Sequence, residues 1–221
     1  MTTKSFSISE ALRFGWAVTK SNFGFFILLL IVSGLFIFIS YVGYMVVMLQ
    51  INPFLGITSS IAYFFFVILF SMGLVKTALR FCDQEKGKIG DLFSQHRSIF
   101  NYLLAYILYM LIVIAGTILL IIPGIILAIK FRFFDHFIVD KGLGPIEALK
   151  KSYAITQGVK WQLFVFFIVV VLANTLGAFL LLVGLFVTIP TTMLATAFVY
   201  RKLLAQTEIA PVSQASPETA T

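Results

Sequence analysis

Cysteine, histidine and charge are all scarce in this chain, and each scarcity removes a class of function. The one cysteine, Cys82, excludes an internal disulfide and any multi-cysteine metal site. Two isolated histidines form no ligand cluster of familiar spacing, so no metal or other cofactor is expected. No phosphate-binding glycine loop, dinucleotide glycine pattern or zinc-protease helix motif occurs. The nearest carboxylate pairs are Asp83 with Glu85, in a polar connection, and Asp135 with Asp140, across a membrane boundary. Neither suits acid–base chemistry, and the chain is read as no enzyme. Charged residues make up 11% of the sequence, against about 25% in a soluble domain.

What is present is apolar. Of the 221 residues, 60% are hydrophobic, 25 are phenylalanine, and the mean hydropathy is +1.04. Apolar runs beyond ~18 residues recur along the chain, the signature of a polytopic membrane protein. The first run comes after about twenty amphipathic residues and is too long for a signal-peptide core, so it is expected to stay as a span. The net charge of +7 sits beside the apolar runs, which points to cytoplasmic retention of Lys and Arg, with no nucleic acid as partner.

Six spans are expected, over residues 23–49, 57–79, 98–115, 118–139, 161–183 and 188–204, within a single membrane domain covering 1–204. Gln50 to Gly56 and Gly184 to Pro190 read as turns. For the turn between the third and fourth spans, Gly116 and Pro123-Gly124 compete; Gly116 leaves the fourth span the better length. Residues 205–221 carry Thr, Ser, Pro and Ala without periodicity, and are read as a disordered tail.

Short amphipathic helices precede the hairpins. Ser7 and Glu10 suggest a capping box at the start of the first, which places Ile8, Ala11, Leu12 and Trp16 on one face. Pro145 suits the first turn of another, running to Gln157. The two align: Glu10 with Glu147, Ala11 with Ala148, Leu12 with Leu149, Arg13 with Lys150, Trp16 with Tyr153 and Thr19 with Thr156. Ile89 to Phe93 is a weaker third copy, inside a polar segment whose second half also reads as a short helix. All Lys, Arg, Asp and Glu fall in the N-terminal segment, the second-to-third connection, the region from the fourth span to the fifth, or the C-terminal end. The hairpin turns carry none. The expected architecture is all-α: six transmembrane helices as three parallel hairpins, each preceded by a short interfacial amphipathic helix, with both termini cytoplasmic.

At these residues the chain resembles a group of prokaryotic membrane proteins. Ile122-Pro123-Gly124-Ile125, Leu127-Ala128 and Lys130 are followed by Val139-Asp140-Lys141-Gly142, then Glu147-Ala148-Leu149-Lys150, Ser152, Thr156, Gly158, Trp161 and Phe164. This pattern is similar to the membrane domain attached to some bacterial glycerophosphodiester phosphodiesterases and to related stand-alone uncharacterised membrane proteins. The Phe134-Asp135-His136 stretch departs mildly from it. The resemblance implies a fold and a bacterial inner-membrane home. It does not imply phosphodiesterase activity, which belongs to a separate soluble barrel.

Two sets of residues stand out. Lys130, Arg132, Asp135 and His136 fall inside the expected fourth span. Val139 at its boundary would put Lys130 roughly 13 Å deep, where a charge must face protein or water, or snorkel to the headgroups. Arg132 can meet Asp135 and His136 on one helix face. Asn174, Thr191 and Thr192 either pack the fifth and sixth spans together or form a polar lining that faces those charges. Arg13, Lys20, Lys150, Lys151 and Lys160 are candidates for anionic lipid headgroups. Membrane lipids are the expected partners, with a membrane protein or a second copy as a further possibility. The expected role is a scaffold, accessory or envelope-homeostasis factor; the alternative is a transporter or channel-like protein for a small or lipidic solute.

Overall fold

The computed structural model describes residues 4–46, 53–180 and 183–209, and these form nine α-helices, two short 3-10 turns and no strand. The helices are α1 (Ile8–Ser21), α2 (Phe23–Val46), α3 (Pro53–Cys82), α4 (Ile99–Leu119), α5 (Ile121–Lys130), α6 (Phe134–Lys141), α7 (Pro145–Thr156), α8 (Lys160–Phe179) and α9 (Leu185–Ile209). Residues 47–49 of the expected first span and 50–52 of its turn lie outside the described residues.

The hairpin turn after α4 falls at neither expected position. It is Leu120, a single extended residue with φ −163° and ψ 144°. Gly116 and Gly124 instead lie on the two helices beside the turn, where they let α4 and α5 touch. A Cβ at Gly124 would lie 2.8 Å from the Cα of Thr117, and one at Gly116 would lie 3.2 Å from the Cα of Gly124. Gly177 and Gly184 close the α8–α9 turn in the same way, a Cβ at Gly184 lying 2.6 Å from the Gly177 carbonyl oxygen.

The fourth span expected over 118–139 is not one helix. The chain breaks at Phe131–Phe133, between α5 and α6, with no glycine or proline at the break. Gly142, at φ +65°, then ends α6 in the left-handed conformation that glycine adopts without strain. At the C-terminus α9 runs to Ile209, past the expected end at 204. Its end is held by Gln206, whose side chain accepts from the Ser5 N–H and donates to the Ser5 carbonyl. Residues 210–221 of the expected tail lie outside the described residues.

Consecutive long helices pack in pairs, α2 on α3, α4 on α5 and α8 on α9. The short amphipathic elements seat mainly on helices other than the one that directly follows them: Ile89–Phe93 on α3, α7 on α6 and α4 with further contact to α9, and α1 on α9 at the far end of the described residues. The aligned positions Ala11, Leu92 and Ala148 are each 0% exposed. In α1 the buried line is Ala11, Gly15 and Thr19; in α7 it is Ala148, Ser152 and Thr156, the same i, i+4, i+8 spacing. Trp16, expected on the apolar face, points outward instead, because a backbone-to-backbone contact takes the inner side. A Cβ at Gly15 would strike the Thr191 carbonyl of α9. A Cβ at Gly73 of α3 would likewise strike the backbone of Leu92.

The expected capping box at α1 forms by half. The Ser7 hydroxyl accepts the Glu10 N–H at 3.3 Å, but the Glu10 carboxylate turns away to Lys202 of α9. The middle copy forms 3-10 turns rather than a helix, with Asp91 accepting the Lys88 N–H at 3.1 Å and pairing with Arg80 at 3.3 Å. The buried core is one main cluster around α9, built from Leu194, Ala197, Tyr200 and Leu203 with Phe133, Phe137, Leu163 and Phe166.

The Gly15 contact gives a direct test. Gly15→Ala should lower stability by about 1–3 kcal/mol through overpacking against the α9 backbone. Gly24→Ala in α2, where a Cβ meets nothing within 4 Å, should be neutral or gain up to about 1 kcal/mol from helix propensity. Thermal unfolding of the two variants in detergent measures the difference.

Candidate functional site

The break between α5 and α6 sits in the core, and its backbone groups need partners there. Two hydroxyls of α7 supply them. The Ser152 hydroxyl accepts the Phe133 N–H at 3.0 Å and donates to the Lys130 carbonyl at 3.0 Å. Thr156, one turn on, reaches the same carbonyl at 3.1 Å. Both hydroxyls are wholly buried. Ser152 takes the amide that an unbroken helix would direct to Ile129, so a tertiary contact holds the break where no local breaker exists. An unpaired buried backbone group would cost about 1–3 kcal/mol. In the sequence Ser152 stands out only as part of a family resemblance, and Thr156 there and in the repeat alignment with Thr19; their i, i+4 spacing from Ala148 on one helix face is the signal that could have found them.

The charges around the break neutralise one another locally. Arg132 Nη1 lies 3.4 Å from Asp135 Oδ2, as the i, i+3 spacing predicts. The other carboxylate oxygen, Oδ1, accepts both the His136 N–H at 2.8 Å and Nδ1–H at 2.6 Å, so Nδ1 carries the proton. Asp135 and His136 are buried, whereas the Arg132 side chain is 46% exposed. His136 therefore binds the far side of the carboxylate instead of facing Arg132. Its ring lies 5.2 Å from that of Tyr200 and 5.5 Å from that of Phe133.

Lys130 meets neither Asn174 nor the threonines of α9. Its ammonium lies 4.5 Å from the ring centroid of Tyr153 on α7 and 3.4 Å from that hydroxyl, a cation–π contact at the end of α5. The depth of roughly 13 Å assumed a continuous helix to Val139, and the break removes that basis. Asn174 donates to Thr192 at 3.2 Å, joining α8 to α9. Thr191 donates to the Val187 carbonyl at 2.7 Å and lies 3.3 Å from Thr19, joining α9 to α1. Arg13, Lys20, Lys150, Lys151 and Lys160 are all exposed, and none has an acidic partner among the described residues.

A second ionic centre, unmarked in the sequence, lies next to the first. Arg201, near the end of α9, places Nη1 2.7 Å from Asp140 at the end of α6 and Nη2 2.6 Å from Asp83 just beyond α3. Tyr200 donates to the same Asp140 oxygen at 3.0 Å. By sequence alone Asp83 reads as a solvated loop residue and Arg201 as a topology signal. The pairs join residues 61 and 118 positions apart, which no local pattern marks. Through Tyr200 the two centres form one chain of contacts, from Arg132 to Asp83. Together with Lys202–Glu10 and Arg80–Asp91, it brings the charge-bearing segments of the chain to one end of the bundle.

The class this defines is an all-helical protein with four helices long and apolar enough to cross a membrane among the described residues: Phe23–Val46, Tyr63–Cys82, Gly90–Leu119 and Lys160–Phe179. Residues 92–216 match the family described as Domain of unknown function (DUF7847), and the chain belongs to that family. The matched segment holds both ionic centres apart from Asp83. The chain is also similar to Uncharacterized protein Rv2560 of Mycobacterium tuberculosis and Uncharacterized protein Mb2590 of Mycobacterium bovis, each 26% identical over 157 residues. That alignment covers 71% of this chain and 48% of theirs, so the chain spans about half the length of the curated relatives it matches. Nothing in these matches ties it to the membrane domains attached to glycerophosphodiester phosphodiesterases. No solved structure matches.

The aspartate and the lysine at the break should behave differently. Asp135→Leu strands Arg132 and His136 and should cost about 3–5 kcal/mol, as breaking a buried pair does. Lys130→Leu removes a charge resting on a neutral phenol and should cost under about 1 kcal/mol. Yield and thermal unfolding of the two purified variants check both values.

Proposed function

We propose that the chain is a non-enzymatic, six-span protein of a bacterial inner membrane, built as three hairpins of one orientation. It acts as a scaffold, accessory subunit or envelope-homeostasis factor that binds lipid or partner proteins. The observation that carries this reading is the use of the internal charges. Arg132, Asp135 and His136 satisfy one another, Arg201 joins the ends of three helices, and Lys130 rests on Tyr153. Such an arrangement favours a rigid platform over a site that exchanges ions. The apolar exposed faces of α2, α3, α4 and α8 support insertion, with α5 plus α6 and α9 completing the count to six. The Pro123-Gly124 and Glu147 to Gly158 motifs support kinship with the phosphodiesterase-attached membrane domains.

The gathering of the charged segments at one end supports cytoplasmic termini. Reporter fusions after Leu204 and within 81–97 should therefore score inside, and one at Asn52 outside. A C-terminus scoring outside would sink the six-span reading.

The exposed cations Arg13, Lys20, Lys150, Lys151 and Lys160 support binding of anionic headgroups, each contributing roughly 1 kcal/mol near such a surface. A transporter is the second reading, favoured by the helix break at Phe131–Phe133, since broken helices recur at transport sites. Purification with native lipids separates the two. A stoichiometric protein partner, or anionic lipid reduced by joint Lys150→Gln and Lys151→Gln substitution, supports the platform. Solute flux in liposomes supports transport.

A further inference from the structure

α5 has ten residues, about 15 Å of helix, beside an α4 of 21 residues and about 31 Å. Ile122, Ile125, Ile126 and the buried Ile129 form an isoleucine stripe along one side of a lateral groove of about 180 Å³, which Phe164 of α8 also lines. At one end of that groove stand Lys160 and Trp161, the first residues of α8. The Lys160 ammonium lies 5.9 Å from the Trp161 ring, and Trp161 is 65% exposed. No carboxylate lines the groove among the described residues.

We infer that this groove is a binding site for one anionic phospholipid, with an acyl chain along the isoleucine stripe and the phosphate on Lys160. The inference rests on the proposed insertion of the chain in a membrane. The walls offer nothing but apolar contact, which suits a chain of methylenes. The mouth offers one cation beside an indole, the ring that settles at headgroup depth. A lysine with no acidic partner among the described residues complements a net negative headgroup better than a zwitterionic one. Lys160 and Trp161 are adjacent in sequence and open the helix that forms one wall, so the headgroup contact and the chain contact are set by one element.

The chain has two tryptophans, so Trp16→Phe leaves Trp161 as a sole reporter at the groove mouth. The full-length Trp16→Phe protein would be reconstituted into vesicles containing chain-brominated phosphatidylglycerol or chain-brominated phosphatidylcholine, and quenching of Trp161 measured against lipid fraction. The expected result is about a fivefold preference for phosphatidylglycerol, from one lysine near the headgroup. Lys160→Gln should abolish the preference, and Ile126→Phe, which fills the groove, should reduce quenching by both lipids. Equal quenching by the two lipids would mean that Trp161 sees only the general lipid annulus, and would overturn the proposal. No quenching by either, in protein that has inserted, would mean that a second copy or another protein covers the groove, and would also overturn it. A protein that does not enter the bilayer overturns the membrane reading instead, so the two failures are distinct.

Discussion

The guanidinium of Arg201 is the contact on which the rest of the bundle depends. One planar group spans two carboxylates from different parts of the chain, and so fixes the ends of α3, α6 and α9 against each other. Its side chain is 25% exposed, and that of Asp140 is 12%, so the pair lies between the weak surface case and the costly buried one. Lysine could not replace it: an ammonium offers a point charge, whereas two separate nitrogens are needed here to hold two acids at once. Tyr200 adds a neutral donor to Asp140 and sets its own ring against His136 and Phe137, so that the ionic end continues into the aromatic core.

The broken helix obeys the same constraint on polar groups. A turn inside an apolar bundle leaves amides and carbonyls that water cannot reach, and such a turn persists only where side chains replace the lost ladder. Ser152 both gives and accepts, so one hydroxyl serves the two sides of the gap. This binds α7 to the α5–α6 break more tightly than apolar contact alone would. In α1 the corresponding position is Gly15, and there the adjacent backbone belongs to a continuous α9, so closeness rather than hydrogen bonding is what the site requires.

Much of this is legible in the sequence, and the pattern of what is not has physical causes. The repeat between Ile8–Thr19 and Pro145–Thr156 emerges from residue identity, and both copies are helices that bury matching positions. Pro145 opens α7 and Gly142 closes α6, since proline and glycine act locally. The break at 131–133 cannot be read, because Phe131, Arg132 and Phe133 have no aversion to helix and the decisive partner is nineteen residues away on another element. The glycines at 116 and 124 are conspicuous, but as turn formers; their missing side chains serve contact between helices instead. Of the candidate charges, the Arg132–Asp135 pair is readable from spacing, whereas Arg201 with Asp83 and Asp140 needs the fold.

The docking of α1 on α9 has a consequence for the order of assembly. Glu10 reaches Lys202 and Ser5 reaches Gln206, across separations of 192 and 201 residues. During synthesis the N-terminal helix has no seat until nearly all of the described chain has left the ribosome. The contact of α1 with α9 can therefore form only once the last described helix is in place. The join of α9 to α1 is thus alike in kind to that of Ile89–Phe93 to α3 and of α7 to α6, each a short element seated on a helix that it does not continue.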